Sequence, residues 1–236
     1  MDPQFLAIAR DPQIIPGVHH YCNEWCDYCG VTARCCGYRC TELYRKRRGR
    51  KDGEPTFRTI NEAVEFTREM SAAEGVRTDE LDALLGSPPG ASGIHTDDPL
   101  AELAWQYTER AALLMAPLAL EWSIKPPPRS VDGPPPMEIV LWYHVRIYMK
   151  VFRALVARET HAAGAESDDA LGCAKLALVS IDHSLEALRR LPGTFSAADH
   201  DALQRLLTQV RDQLEAKIPG ARAYIRVGLD EPVARI

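Results

Sequence analysis

The stretch PMEIVLWYHVRIYMKVFRALVARETHA, residues 136–162, decides the fold. Val140, His144, Ile147, Val151 and Ala154 recur at three- and four-residue steps, so they share one side of a helix. Trp142, Val145, Met149, Phe152 and Val156 lie on nearly the opposite side. A helix that is apolar on two sides is packed on two sides, so the spacing predicts a central helix over about 136–162. Arg146, Lys150 and Arg153 run between the two seams. Cations buried there need carboxylate partners, for which Glu102, Glu109, Asp182 and Glu186 are the candidates; otherwise they snorkel to water.

The same periodicity continues on both sides. Downstream, residues 168–191 carry Leu171, Ala174, Leu178, Ile181, Leu185 and Leu188, and residues 196–217 carry Leu203, Leu206, Leu207, Val210 and Leu214. Pro192-Gly193 and Pro219-Gly220 stop these two helices. Upstream, Asp98-Pro99 is a cap followed by a first-position proline. A stripe of Leu100, Leu103, Ala104, Tyr107, Ala111, Leu114 and Leu118 follows, with Pro117 expected to kink its last turns. Thr59 and Glu62 have capping-box spacing and open a helix that carries Ile60 and Val64 and ends near Gly75. The stretch GSPPGASG at 86–93 reads as a loop, and proline triplets at 126–128 and 134–136 bound another connection. The fold class is therefore all-α. About five helices form a bundle over residues 56–236, and a Cys-rich lobe over residues 1–55 is appended to it. The last residues, 223–236, read as a short extended segment.

The chain has 236 residues, a net charge of −5, 46% hydrophobic and 26% charged residues. At this length folding buries roughly 70% of the unfolded surface, so no staple is needed to hold the chain together. The composition excludes wholesale disorder. No apolar run approaches the roughly 18 residues of a membrane span, and the start, MDPQFLAIARDPQ, lacks a basic-then-apolar leader. The expectation is a cytoplasmic protein without membrane contact. There, clustered thiols favour metal binding or redox work over disulfides.

Six of the seven cysteines fall within HHYCNEWCDYCGVTARCCGYRC, residues 19–40. Cys22, Cys26, Cys29 and Cys35 have C-x3-C-x2-C-x5-C spacing, with Cys36 and Cys40 after them and His19 and His20 before. Thiolates are good ligands for zinc and for iron in clusters. Structural zinc usually has two short knuckles separated by a longer insert, whereas tight successive spacing suits a loop wrapped round a cluster. An iron–sulfur cluster is the expected cofactor, with Zn²⁺ as the alternative. Six Cys and two His would also suffice for two zinc ions. Cys26 and Cys29 form a C-x-x-C pair, but no βαβ pattern surrounds it to support thiol–disulfide exchange. Cys173 stands apart and is expected to pack inside its helix.

Two further features bear on function. Residues 39–51, RCTELYRKRRGRK, are either a solvated basic face or a candidate contact for nucleic acid or an acidic protein, with Tyr38 and Tyr44 available to stack on bases. Tyr143, His144, Lys150, Asp182 and His183 form a candidate polar pocket in the bundle, for which a structural ion-pair network is the blander account. No P-loop, G-x-G-x-x-G, G-x-S-x-G or H-E-x-x-H motif occurs, and the Glu-x-x-His pairs of di-iron bundles are absent. Three readings follow: a metal- or cluster-binding protein in electron transfer, sensing or scaffolding; a zinc-stabilised interaction module; or an enzyme using the bundle pocket.

PGVHHYCNEWCDYCGVTARC (16–35), WYHVRIYMKVFRAL (142–155) and GCAKLALVSIDHSLEAL (172–188) resemble a family of bacterial helical proteins with an N-terminal YC-x2-WC-x2-C-x5-C segment. The resemblance implies that Cys22, Cys26, Cys29 and Cys35 act as a unit, with Cys36 and Cys40 as additions; it implies no reaction. Cys22, Cys26 and Cys29 also resemble the C-x3-C-x2-C motif of radical SAM enzymes, but the strands of that barrel are missing from the pattern.

Overall fold

A computed structural model describes residues 3–51, 54–73, 75, 97–124, 133–160, 168–191 and 193–230. Among these, seven α-helices form and no strand: α1 (Pro3–Ala9), α2 (Cys36–Arg47), α3 (Ile60–Ala73), α4 (Pro99–Ile124), α5 (Pro136–Thr160), α6 (Asp168–Arg189) and α7 (Ala197–Lys217). None is long and apolar enough to cross a membrane. The expected loop at 86–93, the proline triplet at 126–128, Pro192 and the tail beyond 230 lie outside the described residues. The chain divides into two units, one of residues 1–94 with 226–236, the other of residues 95–225.

In the second unit, α4 to α7 pack as a ring, each against the next and α7 against α4, with α5 against α6 the most extensive pair. Side-chain contacts give the directions. Asp98 at the start of α4 pairs with Lys217 at the end of α7, while Arg110 further along α4 meets Asp199 at the start of α7 at 2.6 Å. Thr108 of α4 donates to the His144 carbonyl of α5 at 2.8 Å. Tyr143 early in α5 meets His183 late in α6, and Arg153 late in α5 pairs with Asp169 at the start of α6 at 3.0 Å. Helices α4 and α7 therefore run antiparallel, as do α5 and α6. Helix α6 buries Ala170, Gly172, Ala174, Ala177, Ser180 and Ser184, and such small side chains let neighbouring helices come close.

Two caps open helices of this unit, the one at Asp98 as expected and one at Ser196 besides. The Asp98 carboxylate accepts from the Leu100 amide at 2.9 Å, and Ser196 Oγ accepts from the Asp199 amide at 3.1 Å. Helix α4 continues through Pro117. The expectation of a central helix at 136–162 does not hold. Val140, Ile147, Val151 and Ala154 are buried, but Val145 and Met149 of the second seam are 46% and 54% exposed. In a four-membered ring α5 has a neighbour on each flank and solvent outside. Its basic stripe consequently needs no core carboxylates: Arg146 lies over the Trp142 ring at 3.9 Å and Arg153 uses Asp169.

The first unit contains two helices beyond the five expected, α1 and α2. Helix α3 packs against both of them, so it belongs with the lobe assigned to 1–55 rather than with the bundle. Phe5, Cys36, Cys40, Tyr44 and Phe66 form this unit's core. Thr59 caps α3, its Oγ1 accepting from the Glu62 amide at 3.2 Å. Ile60, expected on the apolar side, is 77% exposed, and Phe66 is the buried anchor instead.

Two carboxylates tie the unit together. Asp11 is held below the ordinary carboxylate range first by the Arg39 guanidinium and then by the Gln13 amide. Glu62 is held down first by the Arg58 amide, against some desolvation, and then by Arg50. Lowered folded-state values mean that this stability is complete above the ordinary values of 3.8 and 4.5 and is lost as pH falls through the folded-state values. An acid titration followed by circular dichroism is expected to loosen this unit below about pH 4. Asp11→Asn with Glu62→Gln should remove that part of the pH dependence.

Candidate metal centre

The segment between α1 and α2 is a chain of short turns, with 3₁₀ helices at Val18–His20, Cys26–Tyr28 and Thr32–Arg34. Each turn sets one or two candidate ligands. Cys26 starts the second turn and Cys29 follows it, its amide donating to the Cys26 carbonyl at 3.2 Å. Cys35 is the N-cap of α2, its Sγ accepting from the Tyr38 amide at 3.4 Å. Cys22 Sγ accepts from the Glu24 amide at 3.3 Å. Amide hydrogens aimed at sulfur stabilise the thiolate form, which is the form a metal binds.

Glu24 is the one non-glycine residue with positive φ (54°) among those described. That left-handed backbone costs a side-chain-bearing residue roughly 1–2 kcal/mol, at the same turn in which the Glu24 amide meets the Cys22 sulfur. Glu24→Gly is expected to stabilise the metal-free protein by about 0.5–1 kcal/mol, relief of strain outweighing glycine's entropy. Glu24→Ala should bring no gain. Urea denaturation of the three proteins measures the difference.

The electrostatics link four thiols. Burial, then Cys22, Cys35, Cys29 and Asp27, push the Cys26 thiol up to about 11. Burial raises Cys22, opposed by the Glu24 amide, with Cys35 and Cys29 adding to the rise. Burial raises Cys35, opposed by the Tyr38 amide, with Cys29 and Cys36 adding. Burial is the larger cause at Cys22, Cys26 and Cys35, and charge on neighbouring thiols adds to it. Such a set favours a shared cation, which removes the mutual repulsion and displaces the protons. Among the described residues, no three Cys, His, Asp or Glu side chains are already gathered around one point as an ion would require. A tetrahedral zinc site with bonds of about 2.3 Å needs sulfur atoms about 3.8 Å apart, so uptake entails rotation of these side chains.

The other candidates are placed differently. Cys36 and Cys40 are buried beside Phe5, Tyr44 and Phe66, with their sulfurs 3.9 Å apart. The His19 ring lies over Gly37 at the start of α2 and stacks near His20, with centroids 4.2 Å apart. Tyr44 is only 5% exposed, which removes it as a base-stacking platform. The arginines of residues 39–51 are spent within their own unit. Arg39 pairs with Asp11 and Arg50 with Glu62; Arg45 donates to the Glu54 and Lys51 carbonyls; Arg47 reaches Gln4 and Arg48 reaches Glu65.

In the bundle, the structure brings two of the five pocket residues together across helices. Tyr143 Oη and His183 Nδ1 are 3.4 Å apart. The His144 ring meets its own helix at the Leu141 carbonyl, 2.7 Å away. Asp182 pairs with Arg222, and Lys150 acts on the Cys173 thiol. Cys173 itself is buried in α6 and bonded to Asp169 at 3.7 Å. One cleft on this unit is lined by Glu109, Arg110, Asp199 and Arg205 among others.

Sequence reasoning missed Arg226. It is 8% exposed and donates to Asn23 Oδ1, the Tyr21 carbonyl and Asp230, beside Cys22. No family model, curated protein or solved structure matches the chain.

Proposed function

We propose that this is a metal- or cluster-binding helical protein whose ligands are Cys22, Cys26, Cys29 and Cys35. The observation that supports the reading is geometric: backbone amides are aimed at the Cys22 and Cys35 sulfurs, and Cys22, Cys35 and Cys29 lie near enough to add to the burial that raises Cys26. An iron–sulfur cluster is the preferred occupant on spacing, and Zn²⁺ is the alternative. A cluster would supply one-electron transfer or sensing; zinc would supply a fixed scaffold. Cys36 and Cys40 are assigned to the core rather than to the ligand set. The basic segment 39–51 is assigned to holding its own unit together, because its arginines already have partners there.

Anaerobic purification, absorption spectroscopy and analysis for iron, sulfide and zinc test the reading. A brown protein with iron and acid-labile sulfide supports the cluster. Stoichiometric zinc without sulfide moves the assignment to the zinc scaffold. Neither metal, together with a Cys22→Ser protein that folds and behaves as wild type, overturns it.

A further inference from the structure

We propose that residues 226–230 are a clasp that closes on the cysteine loop, and that Arg226 is the positioning residue for Cys22. The role at the metal rests on the four-thiolate reading above; the clasp itself does not. Arg226 Nη1 donates to Asn23 Oδ1 at 3.1 Å and to the Tyr21 carbonyl at 3.5 Å. Tyr21 and Asn23 flank Cys22, so the guanidinium holds the backbone before that thiol and the side chain after it. The rest of the guanidinium is locked. Its Nε and Nη2 donate to Asp230 Oδ1 at 3.1 and 2.7 Å. The Arg226 amide donates to Asp230 Oδ2 at 3.0 Å. A planar donor fork held by a carboxylate loses little freedom when it makes its remaining bonds.

A second grip lies at the other end of the ligand set. Leu229 packs on the cluster of Ile15, Val18 and Cys35. Between the two grips, Gly228 has φ +80°, and a Cβ there would stand 2.6 Å from Ile15 Cδ1. Only glycine combines that backbone with that approach. The clasp therefore holds the first and last of the four cysteines, Cys22 and Cys35, from a segment about two hundred residues further along the chain. Partners that orient metal ligands typically change affinity ~10–100-fold when removed, which sets the effect expected here.

The test uses the full-length chain with Arg226→Met, Arg226→Lys and Gly228→Val. Two rates are measured. One is release of the native metal or cluster to an excess chelator. The other is amide hydrogen exchange at residues 19–24 in the metal-free protein. Arg226→Met and Gly228→Val are expected to speed both about 10-fold or more, with Arg226→Lys between them and wild type and α5–α6 amides unchanged. Unchanged exchange at 19–24 in both disruptive variants overturns the clasp. Faster exchange with unchanged release overturns the positioning role, leaving a purely structural contact. If the wild-type protein holds neither metal nor cluster, the four-thiolate reading fails and the positioning role with it, and the exchange rates alone decide the clasp.

Discussion

Cys26→Ser is expected to lose the metal or cluster during purification, a fall in affinity of more than about 100-fold. Outer-shell partners are typically worth about 10–100-fold, and Cys26 is placed as a direct ligand. The residue as a whole is exposed although its sulfur is partly desolvated, and it belongs to neither apolar cluster of this unit, so it props up no core. All three other thiols of the set act on it, which puts it at the centre of their repulsion. Serine preserves size and removes the thiolate. The expected contrast is Cys36→Ala, which deletes a sulfur buried against Phe5 and Phe66. That variant should keep its metal content and lose about 1 kcal/mol or more of folding stability in the first unit. Metal analysis and urea denaturation of the two proteins separate ligand from core thiol. Equal metal content in Cys26→Ser and wild type would sink the four-thiolate assignment. Because the Cys26 thiol is protonated at neutral pH, uptake should also release protons and weaken as pH falls.

Local patterns carried most of the bundle. Asp98-Pro99 and Thr59 are caps whose chemistry is contained in a few residues, and both form as expected. The buried faces of α4, α6 and α7 follow the leucine and alanine steps of the sequence. Helix α5 shows where periodicity stops being decisive. Val145 and Met149 recur as a core seam would, yet a repeat of apolar residues does not say whether another helix lies opposite, and here solvent does. Helix α2 was hidden for a different reason. Cys36, Cys40 and Tyr44 recur at four-residue steps and all are buried, but thiols in a cysteine-rich stretch read as ligands before they read as apolar side chains. The basic residues at its end, Arg45 to Arg47, were a second helix signal, since cations favour a helix C-terminus. The capping box fixed where α3 begins but not what it packs on, because its partners Phe5 and Tyr44 lie in other segments. Arg226 had no local signal at all. Its role comes from pairing with Tyr21 and Asn23 across the length of the chain.

Phe5→Ala is expected to cost about 3–5 kcal/mol, the range for emptying a fully buried aromatic site. Phe5 has no exposure. Its ring meets Phe66 edge-on with centroids 5.8 Å apart, and the Arg47 guanidinium lies 5.4 Å from its centre. It is the one buried residue of α1, so its loss removes the anchor that joins α1 to α2 and α3. Helices α4 to α7 have their own core, including Leu178, Ile181, Leu203 and Leu207. The variant's thermal denaturation should accordingly separate into an early loss of α1–α3 and a later loss of the bundle. This distinguishes two accounts of the cysteine-rich unit. If metal alone held the unit together, as it does in zinc fingers, Phe5→Ala would cost little while the metal remained, and chelation would unfold α1–α3. With an apolar core of its own, the unit should keep α1–α3 after chelation and lose them on Phe5→Ala. Bound metal should then raise the variant's first transition by mass action without restoring the wild-type midpoint. A cost below about 1 kcal/mol in the metal-free protein would mean that the packing around Phe5 does not hold the unit. The expected result makes the metal an addition to a folded unit, free to be taken up and released, and leaves Cys22 to Cys35 as the part of the chain that responds to it.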